Sequence, residues 1–124
     1  MQLDYDNAAD PVAKIRTLLE HYARFSVDNR GVFRGAFLFV RPDNQTTPDK
    51  INLKDELFYQ NLYAAFEEGQ AQGIFRQFDP HDMAQLFWAA IHGSLALGVN
   101  LDRYNFDSPE VLSSNMIEAL LRLL

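Results

Sequence analysis

Between Met83 and Leu101 the chain carries no Asp, Glu, Lys or Arg, and a charge-free run of that length leaves few options. A bilayer is one, because about 20 apolar residues span it. Gln85, His92, Ser94 and Asn100 argue against lipid, since each would be costly in hydrocarbon. The other option is a helix enclosed by protein. In a helix over about Pro80 to Asn100, Trp88, Ile91, Leu95 and Val99 share one side with His92, while Leu86, Ala90, Gly93 and Leu97 share the other. A helix apolar on two opposite sides must be covered on both. A chain of 124 residues, single-domain in size, points to a second copy as the other cover; the last helix of the same chain is the alternative.

The remaining helices announce their starts. An oxygen-bearing cap followed by proline occurs at Asp10-Pro11, Thr47-Pro48, Asp79-Pro80 and Ser108-Pro109, the pattern of an N-cap and a first helical residue that needs no N–H partner. After Asp10, the residues Val12, Ile15, Leu18, Leu19, Tyr22 and Phe25 keep helical spacing to about Asn29, with Arg16, Glu20 and His21 on the opposite side. Asn29-Arg30-Gly31 is a turn signal, followed by a short aromatic segment in which Phe33, Phe37 and Val40 share a face. Arg41 to Lys50 is polar with two prolines and reads as a loop. A third helix is expected from near Asn52, with Phe58, Tyr59, Leu62, Tyr63 and Phe66 fanned over an arc of roughly 140° and Gly73 as its C-cap. The last helix, from Pro109, carries Leu112, Met116, Ala119, Leu120 and Leu123 on a broad stripe. No strand-like alternation is sustained, so the expected class is all-α with about five helices.

Composition excludes several functions. Seventeen acidic against eleven basic residues give a formal charge of -6, so these residues offer no footprint for phosphate backbones. No cysteine is present, which removes thiolate chemistry and disulfides and is compatible with the cytoplasm. The acidic start Met1-Gln2-Leu3-Asp4-Tyr5-Asp6 is unlike an export signal. Asn44-Gln45-Thr46 forms a glycosylation sequon, which has no meaning without secretion.

Catalytic constellations are weak. His21, His81 and His92 show no metal-ligand spacing, so neither a metal nor another cofactor is expected. Glu67-Glu68 and Asp55-Glu56 are adjacent pairs that a helix turns apart. The serines lack a G-x-S-x-G setting, and His92 as general base lacks a carboxylate at readable spacing. An enzyme is not expected. The concentrated feature is aromatic: Trp88 and His92, one turn apart, can face Phe58, Tyr59, Leu62, Tyr63 and Phe66 across a hydrophobic ligand pocket in which His92 and tyrosine hydroxyls orient the ligand. A solid core with His92 bonded to a carbonyl or water is the alternative. Ala90, Gly93 and Ser94 can admit a closely packed helix, as homodimerisation requires.

The segment Glu67-Glu68-Gly69-Gln70-Ala71-Gln72-Gly73-Ile74-Phe75, then Phe78-Asp79-Pro80, then Phe87-Trp88-Ala89-Ala90-Ile91-His92-Gly93 resembles the C-terminal domain of TetR-family transcriptional regulators, in the branch marked by Trp, His and Gly. In that family an E-G-x-x-x-G-x-F turn, an Asp-Pro cap and a W-A-x-x-H-G run follow one another in this order. Asp10-Pro11, Tyr22-Ala23-Arg24-Phe25 and Asn29-Arg30-Gly31-Val32-Phe33 are similar to the helix pair that opens the domain. The likeness covers nearly the whole chain.

The resemblance implies a domain that binds a small apolar or aromatic effector and dimerises, its last two helices forming an intersubunit four-helix bundle. The implied ligand cavity takes Phe33, Phe37, Phe58, Tyr59, Leu62, Tyr63, Phe66, Trp88 and His92. The implied dimer surface takes Leu86, Ala90, Gly93, Leu97, Met116, Leu120 and Leu123. DNA would be bound only through the family's N-terminal helix-turn-helix, which these residues lack, so the chain is expected to be a fragment or a free-standing relative. A helical homodimerisation module with a filled core and no ligand is the alternative.

Overall fold

The computed structural model describes residues 10–28, 52–97 and 105–124, together with the helical backbone of 98–100. The short aromatic segment with Phe33 and Phe37, the polar 41–50 stretch and the Thr47-Pro48 cap lie outside the described residues, as does the side chain of Val99. The described residues form four α-helices, α1 (Pro11–Asp28), α2 (Leu57–Ala71), α3 (Pro80–Asn100) and α4 (Pro109–Leu121), and a 3-10 turn at Leu53–Asp55. No strand occurs among them, in keeping with the all-α class. None of these helices is long and apolar enough to cross a membrane.

The caps act as their residue types dictate. Asp10 Oδ1 accepts the Ala13 N–H at 2.7 Å, Asp79 Oδ1 accepts the His81 N–H at 2.9 Å, and Ser108 Oγ accepts the Val111 N–H at 3.3 Å. Each satisfies a donor that the first turn leaves without an intrahelical acceptor. The helix expected from Asn52 begins later. Asn52 Oδ1 takes the Lys54 N–H at 3.0 Å, which closes the 3-10 turn, and extended Glu56 (φ -81, ψ 126) separates that turn from α2. At the far end of α2, Gly73 adopts φ 73, donating to Gln70 O at 3.1 Å while Ile74 donates to Gly69 O at 2.9 Å. These are the paired bonds of a Schellman stop, which needs a left-handed residue at this position.

Ile15, Leu18 and Leu19 of α1, Leu62, Ala65 and Phe66 of α2, Ala84, Phe87, Ile91 and Leu95 of α3, and Ile117 and Leu120 of α4 join one buried cluster. Phe66 is its hub, with edge-on contacts to Phe78 and Phe87 at 5.3 and 5.1 Å between ring centroids. Phe75 folds back over Gly69, where an added Cβ would stand 2.1 Å from its ring. The 72–79 connection is held by Gln70, whose Nε2 donates to Phe78 O at 2.8 Å. Arg76 ties it to the last residues, its N–H donating to Leu124 O at 3.1 Å and its Nε to Leu123 O at 2.7 Å.

The polar side of α1 does not all face water. Lys14 pairs with Glu68 of α2 at 2.9 Å, and Arg16 grips both carboxylate oxygens of Glu118 on α4. Glu20, His21 and Arg24 line an open cleft of about 680 Å³ with Glu110, Ser113 and Ser114 of α4.

Candidate functional site

α1, α2 and α3 meet at a cluster of aromatic rings with polar atoms at its centre. Helical spacing carries Tyr22 on the buried stripe of α1, one turn beyond Leu18 and Leu19. Its ring lies 4.9 Å from Phe58 on α2, and Phe58 meets Trp88 on α3 edge-on at 5.3 Å. Trp88 Nε1–H donates to the Tyr22 hydroxyl oxygen at 3.1 Å. The same hydroxyl lies 2.9 Å from His92 Nδ1, so Tyr22 joins the two α3 residues singled out by the sequence.

The electrostatics of this cluster follow from burial. Desolvation raises the Tyr22 phenol above its ordinary 10.0, against a smaller opposing effect of the Trp88 bond. Desolvation lowers the His92 imidazole below 6.5. Both groups are thus held neutral near pH 7. The arrangement that spends the hydroxyl proton has Tyr22 donate to Nδ1, which places the ring proton of His92 on Nε2. The cluster is suited to recognition by hydrogen bonding: it has a donor-acceptor relay on an apolar floor.

Neighbouring Tyr59 faces elsewhere. A step of about 100° along α2 turns it from the Phe58 contact toward the first turn of α3, where its hydroxyl lies 2.6 Å from His81 Nδ1. Tyr63 lies beside it, ring centroids 5.9 Å apart and planes tilted by 40°. Tyr59 and Tyr63 line an open cleft of about 460 Å³ with Lys54, Gln60 and His81. The expected ligand residues therefore fall into three places. Phe58, Trp88 and His92 are together; Tyr59 and Tyr63 belong to the second cleft; Leu62 and Phe66 are fully buried in the core. Phe33 and Phe37 lie outside the described residues.

The expected dimer residues are also divided. Leu86 is 61% exposed and Leu97 37% exposed on α3, and Leu123 is exposed beyond α4. Ala90 and Gly93 are half-buried, and a Cβ at Gly93 would meet nothing within 4 Å. Met116 is half-buried against the core, and Leu120 is within it. Among the described residues no three His, Asp or Glu side chains gather to hold a metal ion.

Tyr22, His81, Lys54 and Gln60 were missed by sequence reasoning. Tyr22 carried one usable signal, a phenol on an otherwise aliphatic buried stripe that must find a hydrogen-bond partner. No known protein family, curated protein or solved structure matches the chain.

Proposed function

We propose that this chain is the ligand-sensing and dimerising domain of a TetR-type transcriptional regulator, acting in the cytoplasm and catalysing no reaction. The observation that carries the reading is the Trp88–Tyr22–His92 relay, which ties α1 to α3 through one hydroxyl. A small aromatic or apolar effector with a hydroxyl of its own can replace that of Tyr22, accepting from Trp88 Nε1–H and donating to His92 Nδ1, and α1 is then released from α3. A ligand that binds only the released arrangement shifts the population toward it. The exposed Leu86 and Leu97 on the other side of α3 offer the surface through which a second copy senses the shift. DNA affinity changes in a helix-turn-helix part that these residues lack.

Native mass spectrometry of the purified chain tests both halves of this reading. A dimer carrying an extra mass of a few hundred daltons is expected; Trp88→Ala should lose the extra mass, and Leu86→Glu should keep it on a monomer. A bare monomer at micromolar concentration overturns it. The filled-core homodimer is favoured by one observation, the complete burial of Leu62 and Phe66. A dimer that carries no added mass and binds no member of an aromatic ligand panel would select that reading.

A further inference from the structure

The second cleft has chemistry of its own. His81 lies eleven residues before His92 on α3, so the two sites are about 16 Å apart along the helix axis. The Gln85 amide nitrogen, which can only donate, lies 3.1 Å from His81 Nε2. With Nε2 as the acceptor, the ring proton sits on Nδ1, which donates to the Tyr59 oxygen at 2.6 Å. The Tyr59 O–H proton is then left to serve an acceptor other than His81. The phenol stays protonated, because burial first, and the nearby Tyr63 and Asp79 second, raise it above 10.0.

The wall opposite is preorganised. Asn52 closes the Leu53–Asp55 turn, and Gln60 Nε2 clamps it by donating to Lys54 O at 2.8 Å, which places the exposed Lys54 side chain on the cleft. Among the described residues the lining is one ammonium, two phenols, an amide and an imidazole, with no carboxylate, in a chain whose net charge is -6. Asp79, the acidic neighbour, spends Oδ1 on the His81 N–H. A volume near 460 Å³ is of the size that small organic molecules occupy.

We propose that this cleft is a separate binding site for a small planar aromatic carboxylate, its ring against Tyr63 and its anionic group between the Lys54 ammonium and the Tyr59 hydroxyl. The ring is matched by the two phenol faces, and the charge by a cation and a hydroxyl donor that converge from different elements. The site does not depend on the Trp88–His92 reading and survives its failure.

The test titrates 2-naphthoate, and separately the uncharged 2-naphthamide, into isotopically labelled chain while the ring signals of all His, Tyr and Trp residues are followed by NMR. Naphthoate is expected to move the His81 and Tyr63 signals and leave Trp88 and His92 unchanged, with naphthamide binding about fivefold more weakly. Lys54→Gln, an exposed position whose loss leaves the core untouched, is expected to erase that preference, a fivefold change being the size of one exposed ion pair. Tyr63→Leu is expected to weaken both ligands. Equal binding of the two ligands, an unchanged preference in Lys54→Gln, shifts confined to Trp88 and His92, or no shift at millimolar naphthoate would each overturn the proposal. Shifts at Trp88 and His92 alone would support the sensor reading while removing this one.

Discussion

Tyr22 and His92, seventy residues apart in sequence, share a 2.9 Å hydrogen bond that ties α1 to α3. Because the same hydroxyl accepts from Trp88, deleting one oxygen leaves two half-buried polar groups without that partner. Tyr22→Phe should lower stability by about 1–2 kcal/mol, read as a reduced urea midpoint with an unchanged slope. A midpoint equal to that of the parent chain would show that water replaces the hydroxyl at no cost.

The pH profile of stability should have two arms, and the same pair contributes to both. The folded His92 imidazole is held below 6.5 by burial, so below pH about 6.5 the unfolded chain takes up protons before the folded one and stability falls. The loss is complete once folded His92 is itself protonated. The Tyr22 phenol is raised above 10.0, so above pH about 10 the unfolded phenol ionises first and stability falls again. His92→Gln should flatten the first arm, and Tyr22→Phe should shrink the second to the part supplied by the Tyr59 phenol, which is also raised above 10.0. An acid arm unchanged in His92→Gln would assign it to other groups.

Gly69 and Gly73, about one helical turn apart, fail for different reasons when given a methyl. Gly69→Ala drives a Cβ to 2.1 Å from the buried Phe75 ring, and overpacking of this kind costs about 1–3 kcal/mol. Gly73→Ala meets no atom within 4 Å but keeps φ 73, a left-handed strain of about 1–2 kcal/mol. Thermal unfolding of each variant and of Gly73→Asn separates them. Asn should recover part of the loss at 73, since its side chain tolerates that backbone region.

Leu86 is more than half exposed in the single chain, so Leu86→Glu should change the unfolding free energy of the monomer, read by urea titration, by no more than about 0.5 kcal/mol. If this side of α3 meets a second copy, the same change should convert a dimer to a monomer in sedimentation. A dimer that persists would move the contact to another face.

Helix starts were legible because an N-cap is a local device: Asp10, Asp79 and Ser108 each bond a backbone N–H two or three residues on. Gly73 was legible for the same reason. Asn52 misled because its side chain serves a 3-10 turn as readily as a helix start. The candidate site was readable only in part. Trp88 and His92 share a helix face and can be paired by counting, whereas Tyr22 reaches them across 66 and 70 residues, a relation that no spacing encodes. Phe58 and Tyr59 are neighbours in sequence yet meet residues about two turns apart on α3, Trp88 and His81, because a wide aromatic arc on α2 reaches more than one place on that helix.

Trp88 is the sole tryptophan of the chain, and its indole N–H ends on a residue of another helix. The molecule thus contains an intrinsic fluorophore wired to the gap between α1 and α3. Parting these helices hands the indole N–H to water and moves its emission to longer wavelength, so their separation can be followed in real time without a label.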